Sequence, residues 1–368
     1  MNKLKEVELV ATGLYLPGNP IPFDNLENVI GKFDDAPPLV KRMNNKLRHL
    51  AKDLIGIEHV HYAVDPKTKE LTESGATMSA KAIRAALEKS NMKTEDIDCL
   101  LFGSIVPDYQ TPPTSTLVQE ELGLERCAEM EIHSNCAGMS KMLEIAYDSI
   151  RVGRYKNIVI SYSQLSSAYL LSNRYNEEKV AVENLLLRWF LCDSASALIL
   201  RGRDKVDSGI KLEYVFNESI GGKMKPGMWL KVGGRNLDLL KTYAAGLHHF
   251  GQDYRMANDF GPECFTQAFN RIIADTKIKY EDIDYILATL PSRKLWNFGK
   301  QEFEKRYGIA PEKWFSNVPK IGYSGGSSVI IALDELIKKG VLEPNQNILS
   351  IIFESSKWMI GGFVLSTI

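Results

Sequence analysis

"KTEDIDCLLFGS" (residues 93–104) and "KYEDIDYILATL" (residues 279–290) are two copies of one pattern, a charged turn leading into an apolar strand, offset by 279 − 93 = 186 residues. The same offset relates Ala146 in "EIAYDSIRVG" to Ala332 in "IALDELIKKG". Each of those helical stretches is followed by a strand, "NIVIS" from Asn157 and "NILSI" from Asn347. Self-similarity at a fixed separation marks a duplicated architecture. Each copy reads as a helix (78–90 and 265–277), an acidic turn, a strand, a loop, a second helix and a final strand. Helices alternating with short apolar strands predict an α/β fold of two duplicated halves, with mostly parallel mixed sheets covered by helices. The expected halves are 1–205, closing with "DSASALILRGRD", and 206–368. Outside the repeats, 17–72 and 208–261 are expected to form lids over a site between the halves.

The bulk properties exclude several classes. The chain has 368 residues, 44% hydrophobic and 25% charged, with a formal net charge of -1, which makes no case for nucleic-acid binding. No run of 18 apolar residues occurs, so no membrane span is expected, and the N-terminal residues lack the apolar run of a signal peptide. The five cysteines lack C-x-x-C spacing and read as reduced thiols of a cytoplasmic protein, without a metal site.

One cysteine stands apart. In "EMEIHSNCAGMSKMLEIAYDSIRVGRY" (residues 129–155), alternation over 130–134 predicts a strand, and Met139, Met142, Leu143, Ala146 and Ile150 recur at helical spacing. Cys136 therefore falls at a helix start, where unpaired N–H groups and the helix dipole favour a thiolate and hence a nucleophile. The alternative reading is a small buried apolar residue.

Several stretches together resemble the ketoacyl synthase III branch of the thiolase-fold condensing enzymes: "ATGLYLPGNPI" from Ala11, "GIEHVHYAVDP" from Gly56, "GSIVPDYQTPPTSTLVQEELGL" from Gly103, "EIHSNCAGM" from Glu131, "CDSASALIL" from Cys192 and "GYSGGSSVIIALDEL" from Gly322. The stretch from Gly56 looks most like the dialkylresorcinol and aryl-polyene type. The resemblance implies a thiolase-like dimer without a bound cofactor, in which Cys136 attacks an acyl thioester of coenzyme A or an acyl carrier protein. It also implies a histidine and an asparagine that this chain replaces with Ser292 and Tyr323, since none of its six histidines lies beyond His249. Near the turn that supplies an oxyanion-hole N–H stands Ser356. His133 and Glu354 are the candidate replacement bases, with His248, His249 and Asp108 as further candidates. With both expected donors replaced, decarboxylative condensation should be slow, because each such donor contributes roughly 2.7–4 kcal/mol. The expected function is acyl transfer through Cys136 to an acceptor in lipid or secondary-metabolite biosynthesis. The alternative is a catalytically degenerate partner subunit of a heterodimeric ketosynthase.

Overall fold

The repeated acidic turn makes the same latch twice. Asp98 Oδ2 accepts the N–H of Asn157 at 2.8 Å, and the Asn157 side-chain amide donates to the Asp96 carbonyl at 2.9 Å. In the second copy Asp284 Oδ2 accepts the N–H of Asn347 at 2.8 Å, and Asn347 donates to the Asp282 carbonyl at 3.0 Å. Each latch fixes where two neighbouring parallel strands begin, which sets their register.

The computed structural model describes residues 3–368. Nine strands form one sheet: β1 (Glu6–Tyr15), β2 (Cys99–Ser104), β3 (Ala128–His133), β4 (Asn157–Gln164), β5 (Ser194–Arg203), β6 (Ile210–Ser219), β7 (Ile283–Ala288), β8 (Asn347–Glu354) and β9 (Met359–Thr367). Their order is β7-β8-β9-β6-β1-β5-β4-β2-β3, so each half repeats one arrangement outward from the junction. Within the sheet the halves join through three residue pairs of β1 and β6, among them Val7↔Leu212. The fifth place of the second half holds only an isolated parallel bridge, Ile286 to Trp314.

Pairing is more antiparallel than the sequence suggested. β2 runs parallel to β3 and β4, and β7 to β8, where crossovers join the strands. The remaining contacts are antiparallel, and the turn at 355–358 between β8 and β9 is too short for any other pairing.

Six helices position the site: α1 (Pro38–Ile55), α2 (Gly75–Ser90), α3 (Gly138–Arg151), α4 (Tyr254–Thr276), α5 (Arg293–Tyr307) and α6 (Ser327–Lys338). α3 and α6 form a central layer, because one core cluster joins Met142 and Ala146 of α3, Ile330 and Leu333 of α6, and strand residues of both halves such as Ile160 and Ile352. α2 covers the outer face of the first half, and α4 with α5 that of the second. The central layer explains why every residue of β4 is buried.

The expected lids need redrawing. Ile210–Ser219 is a sheet strand and Tyr254–Gly261 belongs to α4, so only about 220–252 lies outside the frame. The region facing 17–72 is instead 165–192, a chain of short 3₁₀ turns whose Leu187, Trp189 and Phe190 pack on Phe23, Leu26 and Ile55.

An ion cluster around a buried carboxylate ties α6 to the first half. Asp334, 1% exposed, accepts from Thr12 Oγ1 and Lys89 Nζ, each at 2.6 Å, and pairs with Lys338 at 2.6 Å. Burial opposes its ionisation, yet Lys338, Lys89 and Thr12 hold the carboxyl below its usual range. A depressed folded value means stability that is present above the unfolded aspartate value of about 3.9 and is lost as pH falls through the folded one. Asp334→Asn should therefore lower the urea midpoint at pH 7 by the equivalent of about 2 kcal/mol, and the gap from the parent should narrow on acidification.

Candidate active site

Cys136 occupies the turn between β3 and α3, immediately before the N-cap Ala137. It keeps partial exposure and lines a cavity of about 400 Å³, walled mainly by apolar residues of α1, α4 and α5 and by Phe190. Leu50, Leu54 and Phe298 line that cavity and are also 47%, 40% and 45% exposed, so they stand at its opening. The sulfur is therefore not sealed in the core.

The Cys136 thiol has one hydrogen-bond partner among the described residues, the Tyr323 hydroxyl at 2.9 Å. Tyr323 is brought there by the turn before α6: its N–H donates to the Phe190 carbonyl at 2.9 Å and its own carbonyl accepts from Cys192 N–H at 3.0 Å. The Tyr323 hydroxyl also lies 3.4 Å from the Thr289 carbonyl. A carbonyl can only accept, so with a neutral thiol the chain runs from S–H to the phenol oxygen and from the phenol O–H to the carbonyl. A thiolate would instead draw the phenol proton toward sulfur.

The first turn of α3 receives a carboxylate rather than a ligand. Glu354, at the end of β8 and 3% exposed, accepts from Ala137 N–H at 2.9 Å and from Ser134 Oγ at 3.0 Å through Oε2. Ser356 Oγ donates to Oε1, and Lys141 Nζ donates to Ser134 Oγ at 2.9 Å. One of the helix-start N–H groups expected to acidify Cys136 is thus occupied by an anion. Burial, followed by the Glu354 charge, raises the thiol to about 12, with the Tyr323 hydrogen bond pulling the other way. The expected thiolate is corrected accordingly: in the folded chain the resting sulfur is a protonated thiol at neutral pH.

Comparison with known proteins fits this frame. The family model for the C-terminal part of 3-oxoacyl-[acyl-carrier-protein] synthase III matches residues 273–355. The β-ketoacyl-[acyl-carrier-protein] synthase III of Clostridium acetobutylicum is 24% identical over 352 residues, covering 95% of each chain. The fold matches AbyA1, a tetronic acid condensing enzyme, at a TM-score of 0.80 and 21% identity, over 98% of this chain and 99% of that one. It also matches an OleA variant of Xanthomonas campestris bound to lauric acid and lauroyl-CoA, at 0.78 and 17% identity, over 99% of each. The chain has the thiolase fold and is similar in sequence to ketoacyl synthase III proteins over nearly its whole length.

Within this ketoacyl synthase III-like frame the anticipated residues separate. Cys136, Tyr323 and Glu354 gather at the start of α3, whereas Ser292 caps α5, its Oγ accepting from Leu295 N–H at 3.3 Å, and reaches the site only as cavity wall. The residue just past the end of β7 beside Tyr323 is Thr289, a polar residue inside the repeat copy 279–290 that reads as a charged turn and an apolar strand. Thr289 Oγ1 is held by Phe353, accepting from its N–H at 2.9 Å and donating to its carbonyl at 3.2 Å. In the turn after β8 the cavity is lined by Ser355 rather than Ser356, whose hydroxyl faces Glu354.

The remaining candidates lie elsewhere. His133, a candidate base, is exposed at the end of β3, the edge strand of the sheet, and does not line the cavity. Glu354, read as a candidate base, is buried and hydrogen-bonded to the helix start. His249 is buried against Tyr175 and lowered to about 4 by desolvation and by His248. With His248 it fastens the 220–252 segment to residues 174–176. Asp108 accepts from Gly75 and Ala76 N–H at 2.8 and 2.9 Å, capping α2.

Proposed function

We propose that this protein is an acyltransferase in which Cys136 takes an acyl group from a coenzyme A or carrier-protein thioester and passes it to an acceptor in lipid or secondary-metabolite biosynthesis. The observation that carries the reading is a cysteine thiol lining an open, largely apolar cavity with a phenol at hydrogen-bond distance. In the loading step a bond forms between Cys136 sulfur and the acyl carbonyl carbon, and the carbon–sulfur bond to the donor breaks. The thiol proton ends on the departing coenzyme A or phosphopantetheine thiol, so neither oxidant nor reductant is needed. In the second step the acceptor's nucleophile displaces the sulfur and Cys136 regains a proton. The β-ketoacyl synthase relatives and the lauroyl-CoA-bound OleA structure support an acyl thioester as donor. A dimer built from two copies or with a related subunit belongs to the same reading.

The weak point of ordinary condensation is donor chemistry. Among the described residues no imidazole hydrogen-bonds to the sulfur, and Tyr323 offers a single O–H where a condensing site needs a matched pair of donors for the enolate. Loading asks less, because the thioester oxyanion needs only N–H donors near the turn.

The test is incubation with a panel of acyl-CoA and acyl-carrier-protein donors of graded length, followed by intact-mass measurement and peptide mapping. A mass gain of one acyl group on the Cys136 peptide is the expected result. No adduct with any donor, in a chain that co-purifies with a histidine-containing homologue, would favour the supporting-subunit reading.

A further inference from the structure

The segment between Gly221 and Gln252 has a composition unlike the rest of the chain. Its five basic residues, Lys223, Lys225, Lys231, Arg235 and Lys241, face one acidic residue, Asp238, in a protein whose formal net charge is -1. All five cations are exposed. Asp238 is engaged locally, accepting from Lys241 N–H at 3.1 Å at the start of the short helix Leu239–Ala244 and pairing with the Lys241 ammonium at 3.1 Å. Beside these charges the segment presents Leu237, Leu239, Leu240 and Tyr243, exposed to 65%, 67%, 85% and 51%. Polar anchors hold the projection in shape: Lys231 N–H bonds to the Leu247 carbonyl, Asn176 donates to the Tyr243 carbonyl, and His248 and His249 tie it to residues 174–176.

The projection springs from the cavity wall. Its base is the short antiparallel ladder of Met228–Trp229 with Gly251–Gln252, and both Met228 and Gln252 line the cavity that holds Cys136.

We infer that this cationic, leucine-tipped projection docks the protein on an anionic lipid surface. Leucine side chains raised clear of the fold, flanked by lysine and arginine, match the requirements of an interfacial anchor, whereas Tyr243 is fixed to the fold by its hydroxyl on the Tyr175 carbonyl and by stacking on His248. A protein partner fits less well, since a stable interface needs about 800 Å² on each side and this tip offers three exposed leucines and the less exposed Val232 on one short excursion. The charge sets the sign of the surface, and the attachment point sets the consequence: docking brings the wall of the Cys136 cavity against the bilayer.

Co-sedimentation of the full chain with vesicles tests this without reference to catalysis. One set is phosphatidylcholine alone and the other phosphatidylcholine mixed with phosphatidylglycerol. The protein is expected to pellet with the mixed vesicles, and Leu239→Ser combined with Leu240→Ser should weaken that binding by about tenfold. Lys231→Glu with Arg235→Glu should abolish the preference for anionic lipid. All of these side chains are exposed, and circular dichroism confirms that each variant folds. Equal binding by the leucine variant, or no binding of the parent to either vesicle, overturns the proposal. So does a leucine variant whose only change is a shift to monomer in size-exclusion chromatography, which assigns the tip to a second copy. Saturable binding of an acyl carrier protein that those leucine changes weaken, with no vesicle binding, assigns it to an acidic protein and also overturns it.

Discussion

Glu354→Gln is expected to make Cys136 roughly tenfold more reactive toward iodoacetamide at pH 8, equivalent to about 1.4 kcal/mol in favour of the thiolate. In the parent, burial and then the Glu354 charge hold the thiol near 12, so alkylation should be slow at neutral pH and climb about tenfold per pH unit toward that value. Glutamine removes the charge yet keeps one carbonyl oxygen to accept from both Ala137 N–H and Ser134 Oγ, and the Ser356 hydroxyl can turn to accept from its amide NH2. The pH–rate profile should therefore move to lower pH without loss of fold. Tyr323→Phe should move it the other way, because the phenol hydrogen bond is the contact that lowers the thiol. Opposite displacements by two neighbours of one sulfur are hard to produce by general loosening. Peptide-resolved alkylation rates over pH 7–11 check the pair, and unchanged profiles in both variants would mean that neither group acts on the sulfur.

This arrangement was only half legible in the sequence. The duplicated turn predicted the frame because its chemistry is local: Asp98 and Asp284 each latch the asparagine that opens the next strand. Cys136 was legible for the same reason, since a strand followed by helical periodicity fixes the turn between them. Tyr323 could be placed at the site by resemblance, but its contact with sulfur spans 187 positions of sequence separation and no periodicity reports it. The burial of Glu354 was not legible because a charged residue at a strand end is ordinarily solvated, whereas here the start of α3 and two serines from separate elements surround it. Thr289 was missed because a strand's last apolar residue is poorly marked when a proline follows shortly after. The 3₁₀ turns over 165–192 carry no period to read.

The largest stability effect should come from that unread region. Arg188 is fully buried without a carboxylate partner, and it donates to the carbonyls of Leu170 at 3.1 Å, Ile30 at 3.2 Å and Gly31 at 2.6 Å. Its guanidinium also stacks 4.0 Å over the Phe33 ring. Burial lowers its affinity for the proton, so the charge is held at a cost that those carbonyls and the aromatic face offset. Arg188→Ala strips the acceptors at the end of the short helix Leu26–Ile30 and in the 165–192 turns, and leaves a void between them. Orphaned buried carbonyls at about 1–3 kcal/mol each, plus the void, outweigh the relief of removing a buried charge, so a loss of about 3–5 kcal/mol is expected in urea unfolding. Arg188→Met fills the void without satisfying the carbonyls and should recover only part of it. Because Leu186 and Phe190 beside it line the Cys136 cavity, protease cutting within 165–192 should also quicken in the alanine variant. A midpoint within experimental error of the parent would show that the three carbonyls find other donors, and that the cavity wall holds without the arginine.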